Sequence, residues 1–320
     1  MRLTLITAAL ISFTAISGIG NAADFPTETI RIVVPFPPGG TTDIVARAMS
    51  TQLTAKFDRP VVVDNRAGAS GMIGTEAVAR AKPDGYTLLM AGSPHSINNS
   101  LRKKVPYDPI TDFAPVALIG TVPMVLVVPQ DFPVDDYKSL IKHAKENPKD
   151  LKCGVVPGAA NHLATELFRS LSDVPMLVVP YKGDAPMIVD LIGNQINCVI
   201  GISTQVIGHI TGGRLKPLAV TSDKRLGFLP KVPTLQELGM EGYEAGSWNG
   251  IFAPAGTPKQ RIDVLAEALI AATKAPAVTE SFDRLGFQIR AVGPEELASF
   301  LDRESSKWKK VIDDSNIQPQ

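Results

Sequence analysis

The sequence predicts an α/β protein of two lobes joined by two crossing segments, with a ligand cleft between the lobes. Three observations predict it. Strand and helix alternate in two successive βαβ series, as parallel sheets covered by helices require. Two apolar segments lie where the chain would pass from one lobe to the other. Few aromatics and many Ala, Val, Ile and Gly suit strands buried on both faces. At 320 residues the chain is long enough for two domains of ordinary size.

Residues Met1 to Ala22 stand apart. Arg2, an apolar run from Leu3 to Ile19 and the small-residue exit Gly20-Asn21-Ala22 have the layout of a cleavable secretory signal. No Cys follows Ala22, so lipid attachment there is not expected, and no later apolar run reaches the ~18 residues of a membrane span. The mature chain, about 298 residues by this cut, is expected to be exported. Its 32 basic and 32 acidic residues balance, so neither nucleic acid nor an anionic membrane is an expected partner.

The first series opens with the Val- and Ile-rich strand Thr29–Pro35. After a Pro/Gly turn comes helix Thr42–Phe57, with Ile44, Val45, Ala48, Met49 and Leu53 on one face. Strand Pro60–Asn65, helix Ile73–Ala81 and strand Tyr86–Ala91 complete a βαβαβ unit with parallel strands and right-handed crossovers. Ala114–Val128 is nearly all apolar, with Pro123 interrupting it, and its Val122–Val128 portion reads as the first crossing. The second series runs through strand Leu151–Val156, helix His162–Leu171, strand Met176–Pro180, helix Ala185–Ile192, strand Ile196–Gly201, helix Thr204–Thr211 and strand Leu218–Thr221. Asp223–Glu241 reads as an irregular connection holding a short helix, Leu235–Leu238. Strand Ser247–Ala253 lies on the second crossing, Ala245–Phe252. Helices Lys259–Lys274 and Ala277–Leu285, strand Gln288–Val292 and helix Pro294–Ile317 then return to cover the first lobe. The expected division is a signal at 1–22, lobe 1 at 23–123 plus 248–320, and lobe 2 at 124–247. Two crossings make a hinge, and a cleft between lobes is where a ligand binds.

Ligands of such sheets lie beyond the carboxyl ends of strands. The most informative end is Phe36–Asp43. Adjacent Gly39 and Gly40 let backbone N–H groups approach a ligand, and the helix start behind them favours negative charge, which together make an anion seat. Thr41 or Thr42 is expected to cap that helix, and Asp43 to stabilise its start or orient a water. Ser93 and His95 read as members of a donor-rich loop with Ser96, Asn98 and Asn99. Gly158 and His162 occupy the loop after another strand. There the competing reading of His162 is a surface pair with Glu166, four residues on. Tyr181 follows a further strand end. Trp248 either packs a ligand or fills the hinge.

Enzyme signatures are absent: no Gly-x-Ser-x-Gly elbow, His-Glu-x-x-His or phosphate loop occurs. Ser70 within Gly68-Ala69-Ser70-Gly71 lacks a positioned base. His95 and His162 alone fall short of a zinc site, so neither a metal nor a cofactor is expected. Cys153 and Cys198 are the only cysteines, each in an apolar segment. A bridge between them would close a loop of about 45 residues and stabilise by up to ~4 kcal/mol. Two buried free thiols are the alternative, and an oxidising compartment favours the bridge.

Ordered motifs then carry a resemblance. They are Pro35-Phe36-Pro37-Pro38-Gly39-Gly40-Thr41-Thr42-Asp43-Ile44-Val45-Ala46-Arg47, Val63-Asp64-Asn65-Arg66-Ala67-Gly68-Ala69-Ser70-Gly71 and Ala81-Lys82-Pro83-Asp84-Gly85-Tyr86-Thr87-Leu88-Leu89. His162-Leu163, Val179-Pro180-Tyr181-Lys182-Gly183, Leu218-Ala219-Val220-Thr221, Val232-Pro233-Thr234, Gly242-Tyr243-Glu244 and Phe252-Ala253-Pro254-Ala255-Gly256-Thr257-Pro258 follow. With them the chain resembles the tripartite tricarboxylate transporter receptors, also called Bug receptors, over essentially its whole mature length. The resemblance implies a type II periplasmic binding fold, a periplasmic location, and capture of a small organic acid for membrane transporter subunits. It implies ligand contact at Phe36, Gly39, Gly40, Thr41 and Asp43, at Ser93 and His95, and at Gly158 and His162. Tyr181 completes the expected set by its place at a strand end.

Two departures from the family pattern bear on the ligand. Ala159 and Ala160 stand where the family usually offers serines, and Gly201-Ile202 where it often carries Asp or Asn. An amino-acid ligand thereby loses its counter-charge, and a plain mono- or dicarboxylate, aromatic ones included, fits better. A monomeric receptor without enzyme activity is expected. A co-receptor presenting its liganded state to a membrane signalling protein would need the same hinge and pocket, and the sequence leaves that alternative open.

Overall fold

A computed structural model describes residues 25–319, and the segment read as a signal, 1–22, lies outside the described residues. The chain begins with β1 (Ile30–Val34), α1 (Thr41–Phe57), β2 (Val61–Asn65), α2 (Met72–Ala79), β3 (Thr87–Gly92) and α3 (Pro94–Leu101). β1 pairs in parallel with both β2 and β3. The Gly92–Asn99 stretch, expected as a loop, is instead mostly helix. Pro94 suits the first turn of α3, where its missing N–H costs nothing, and Ile97 and Leu101 give that helix an apolar side.

β4 (Phe113–Pro129) follows, then α4 (Tyr137–Glu146), which the periodicity reading did not anticipate. Its start is a capping box: Asp136 accepts from the Ser139 N–H, and the Ser139 hydroxyl accepts from the Asp136 N–H. Next come β5 (Lys152–Val155), α5 (Ala160–Ser172), β6 (Leu177–Pro180), α6 (Asp184–Ile192), β7 (Val199–Ile202), α7 (Ser203–Thr211) and β8 (Leu215–Val220). The expected Leu235–Leu238 helix is a run of turns. Thr234 and Glu237 cap one another, but Gly239 and Gly242, at φ +94° and +73°, turn the chain before a helix propagates. β9 (Gly246–Pro254), α8 (Lys259–Ala272), α9 (Pro276–Arg284), β10 (Gln288–Val292) and α10 (Pro294–Asp314) complete the chain.

The strand order is β10-β4-β9-β3-β1-β2, with β7 and β8 also pairing with β4 farther along. β4 is one uninterrupted strand of 17 residues. Its Phe113–Pro123 part pairs with β9, and its Met124–Pro129 part with β7 and β8. Pro123 does not break it, because that residue falls where β4 exchanges one set of partners for another. Opposite Pro123, a Cβ on Gly246 would lie 2.7 Å from the Val122 carbonyl oxygen, so only glycine lets β9 come this close. β5 and β6 form a separate two-stranded sheet, which meets β7 at an isolated bridge between Cys153 and Cys198. A disulfide joins those two residues, their Cα atoms 4.3 Å apart. The second series thus reads β6-β5-β7-β4-β8.

Apolar residues pack on both faces of each sheet. Ile32, Val45, Met49, Leu265 and Phe282 share one cluster of the first part, and Val33, Leu89, Phe252 and Leu297 the other. Leu126, Leu163, Phe168 and Tyr243 form one cluster of the second part, and Val125, Met187, Val199 and Val220 the other. The tail does more than cover the first part. Trp308, Val311 and Ile312 of α10 join the Leu126–Phe168 cluster, as do Ile97 and Leu101 of α3. At 21 residues α10 spans about 31 Å, enough to reach past the end of the first sheet.

Candidate functional site

One carboxylate fastens the first loop. Oδ2 of Asp43 accepts the backbone N–H of Gly39 and Nε of Arg47, each at 2.9 Å, while Oδ1 accepts Nδ2 of Asn65 at 2.9 Å. Asn65 also donates to the Phe36 carbonyl at 3.1 Å and accepts from Arg47. Asp43 is 3% exposed. Burial works against its ionised form, but the donors from Arg47, Gly39 and Asn65 outweigh it and leave its pKa lowered. Gly39 sits at φ +88°, a conformation that a Cβ would strain.

The brace changes which donors can face a ligand. The Gly39 N–H, expected in the anion seat, is already taken up by Asp43. Gly40 is the helix N-cap, extended at φ −78° and ψ 168°, and no side chain caps the helix. Neither threonine therefore plays the capping role expected of it. Thr42 Oγ1 instead accepts from Nδ2 of Asn249 on β9 at 3.0 Å. The N–H groups of the first turn of α1 have no intrahelical partner by helix geometry, and they are the donors left over for the expected seat. A Cβ on Gly40 would meet nothing nearer than 4.0 Å, so the space in front of it is open. The Phe36 ring lies between two other glycines, within 3.5 Å of a Cβ built on Gly71 and 3.8 Å of one on Gly92.

Ser93 and His95 are placed differently from expectation. Ser93 is buried, its hydroxyl 3.4 Å from the Gly246 carbonyl and 3.5 Å from Oγ of Ser247. It ties the end of β3 to the start of β9. His95 is not in a loop but on α3, 4% exposed, ringed by Tyr107, Phe113, Trp248 and Phe252. Its Nε2 donates to the Pro109 carbonyl at 3.1 Å, which assigns the proton to that nitrogen. Burial, opposed by that bond and by Asp108, lowers its pKa to about 4. His95 is a neutral core residue here. Trp248, 1% exposed, fills the same aromatic nest.

Gly158 and His162 make a second group. Gly158 takes φ +75°, and its N–H donates to Nδ1 of His162 at 3.2 Å. That bond leaves the His162 proton on Nε2, 3.8 Å from Oε1 of Glu166, which itself pairs with Arg169. Burial lowers the His162 pKa, Glu166 opposing and Arg169 assisting. α5 opens after Ala159, extended at φ −86° and ψ 168°, again without a side-chain cap. A Cβ on Gly158 would be 3.8 Å from Cδ1 of Leu101, so this loop lies against α3.

Tyr181 turns aside: its hydroxyl donates to Oδ2 of Asp190 on α6 at 2.8 Å. Burial together with Asp190 raises its pKa to about 12. At Gly201 the position of the family's acid or amide is closed, since a Cβ there would stand 2.8 Å from Cγ1 of Val206. Ser70, at φ +55°, has its hydroxyl engaged by Arg102 at 2.7 Å. Among the described residues no imidazole or carboxylate bonds that hydroxyl, and no group of three or more His, Cys, Asp or Glu is placed to hold a metal.

Asn65, Asn249 and Arg47 hold the first loop together, and pattern reading did not single them out. Asn65 ends a strand and Asn249 interrupts an apolar one, and a polar residue at either kind of place is the signal that could have found them. A cavity of about 850 Å³ lies elsewhere, lined among others by Asp223, Lys224, Leu226, Phe228 and Gly286–Arg290, and touches none of the seat residues.

The architecture, with parallel βαβ units on both parts of a shared strand and glycine loops opening α1 and α5, defines a binding protein of the type II periplasmic class. The chain belongs to the tripartite tricarboxylate transporter receptor family: a family model described as "Tripartite tricarboxylate transporter family receptor" matches residues 45–317. It is 36% identical to Protein BugT of Bordetella pertussis, over 98% of each chain. Among solved structures it is similar to the periplasmic binding protein BugD, at 36% identity and a TM-score of 0.73, over 92% of this chain and 100% of that one. It is likewise similar to Rpa4515 of R. palustris, solved with adipate, at 35% identity and a TM-score of 0.76, with the same coverage of each chain.

Proposed function

We propose that this chain is an extracytoplasmic receptor that captures a small organic carboxylate between two lobes, 23–123 plus 248–320 and 124–247, and presents it to membrane transporter subunits. On this reading the signal is cleaved near Ala22 and the mature protein is a monomer without catalytic activity. The observation that carries the reading is the pair of glycine loops at the starts of α1 and α5, each fastened by the side chain four residues on and each opening an uncapped helix. Such helix starts hold a carboxylate through backbone N–H groups and the helix dipole, without a cationic side chain. Direct contact is assigned to Phe36, Gly40, Thr41 and the Gly158 loop. Gly39, Asp43 and His162 set the loops' shape, while Ser93 ties β3 to β9 and His95 packs in the core.

Adipate in the R. palustris relative supports a linear dicarboxylate as the first candidate. Ala159, Ala160 and the closed Gly201 position support a ligand without an amino group. The test is calorimetry on protein unfolded and refolded to remove bound ligand, titrated with adipate and with other mono-, di- and aromatic carboxylates. Saturable binding of at least one is expected, and binding of none overturns the reading.

A further inference from the structure

Asn249 lies on β9, is 1% exposed, and faces Gly92 at the end of β3 in the strand pairing. A Cβ on Gly92 would lie 3.8 Å from both Nδ2 of Asn249 and Cε2 of Phe36, so the amide and that ring share one corner of the first loop. Nδ2 donates to Thr42 Oγ1 at 3.0 Å and lies 3.5 Å from the Ala91 carbonyl oxygen. That carbonyl assigns the amide's orientation, because the reversed amide would set Oδ1 against a second acceptor. Thr42 is therefore the acceptor in its bond with Asn249, and its own hydroxyl proton must point elsewhere. Among the described residues that proton meets no acceptor. Thr42 is half-buried in the first turn of α1, two residues past the N-cap Gly40, beside the N–H groups that helix geometry leaves over.

We propose that Asn249 is a positioning residue that holds the Thr42 hydroxyl as a donor to the ligand carboxylate. The inference rests on the carboxylate-capture reading above and adds to it a donor chosen by hydrogen-bond direction. A threonine hydroxyl can give or take a hydrogen bond, whereas an ionised carboxylate only accepts. With its acceptor side occupied by Asn249, the hydroxyl is left with the one role that suits an anion. An O–H bond to a carboxylate is charge-assisted, and it reinforces the backbone N–H groups without bringing a cation into the loop. The same constraint turns away a ligand group that needs an acceptor, such as an ammonium. Asn249 does this from 207 residues along the chain, on a strand that also pairs with β4.

The experiment is a double-mutant cycle read by calorimetry with adipate, glutarate and benzoate, each variant first shown by thermal unfolding to be folded. Thr42→Val keeps the shape and removes the donor, and is expected to weaken binding about tenfold. Thr42→Ser keeps the hydroxyl and is expected to stay within about twofold of wild type. Asn249→Leu is expected to weaken binding about threefold to tenfold when Thr42 is present, and to cause no further loss in the Thr42→Val background. An asparagine that merely supports the fold would weaken binding equally in both backgrounds, and that result overturns the positioning role. Wild-type affinity in folded Thr42→Val overturns the donor, whether or not Asn249→Leu folds. Wild type that binds none of the three acids fails the carboxylate reading itself, and the inference falls with it.

Discussion

Nδ1 of His162 accepts the backbone N–H of Gly158, four residues earlier, at 3.2 Å. Gly39 and Asp43 make the same bond over the same spacing at 2.9 Å, with both glycines at positive φ and the residue after each extended. The two parts of the molecule thus carry loops of one design, fastened by different chemistry. The first fastener is an anion shared with Arg47, and the second is a neutral imidazole beside Glu166.

Gly40→Val should weaken carboxylate binding at least ~10-fold while leaving the melting temperature nearly unchanged. Nothing stands within 4.0 Å of a Cβ at that position, so the new side chain fills the space offered to the ligand rather than the core. Gly39→Val should instead cost about 1–2 kcal/mol in urea unfolding, because the strain lies in the backbone at φ +88°. Equal effects of the two substitutions on binding and stability would contradict the seat.

Asp43→Asn should destabilise the protein by about 2–3 kcal/mol, since an amide cannot accept from all three donors around that carboxylate. The pH dependence follows from the lowered pKa. The carboxylate's contribution is complete above its ordinary value of 3.8 and is lost as pH falls through the lower folded value. Urea midpoints below pH 4 should fall more steeply for wild type than for the variant.

His95 gives stability an acid dependence at higher pH. Its pKa is about 4 when folded against the ordinary 6.5 of the unfolded chain, so between these values the unfolded chain binds the proton and the folded chain does not. Stability is therefore complete above pH 6.5 and declines as pH falls to about 4, by about 3 kcal/mol from this residue. His162 contributes with the same sign. His95→Gln should flatten the slope of unfolding free energy between pH 6.5 and 4.5, and an unaltered slope would place the titration elsewhere.

Glutarate should bind at least ~10-fold more tightly than glutamate, because a bound ammonium would find no acid at Gly201 and would lose its water. Competition calorimetry measures the ratio. A preference for glutamate would show that another group supplies the counter-charge.

Removing the Cys153–Cys198 bridge by Cys153→Ala/Cys198→Ala should cost about 2–4 kcal/mol in chemical unfolding. Intact wild-type protein should weigh two hydrogens less under non-reducing conditions than after reduction, and no difference would contradict the bridge.

The strand and helix alternation was legible because Val- and Ile-rich runs and 3.6-residue periodicity are local signals. β1, α1, β2 and β3 fall within about two residues of their expected spans, the usual uncertainty of an element end. α3 and α4 were missed because caps and polar residues dominate their sequences: Ser93-Pro94-His95-Ser96 reads as loop until tertiary packing buries Ile97 and Leu101. In the candidate site, the glycines and their φ requirement were visible in the residue types. The role of Asp43 was only half visible, since its partners Gly39 and Asn65 come from a turn and another strand. His95 was misplaced for the converse reason. A donor-rich stretch looks like a site from sequence, and only Tyr107, Phe113, Trp248 and Phe252 closing over the ring make it core.

β4 runs unbroken from Phe113 to Pro129 and belongs to the sheets of both parts. Neither part can melt without taking an inner strand from the other, and α10 fastens the same two cores together. The protein should accordingly come apart in a single cooperative transition. Near-ultraviolet signals from Trp248 and Trp308, which sit in different cores, should then report one shared midpoint.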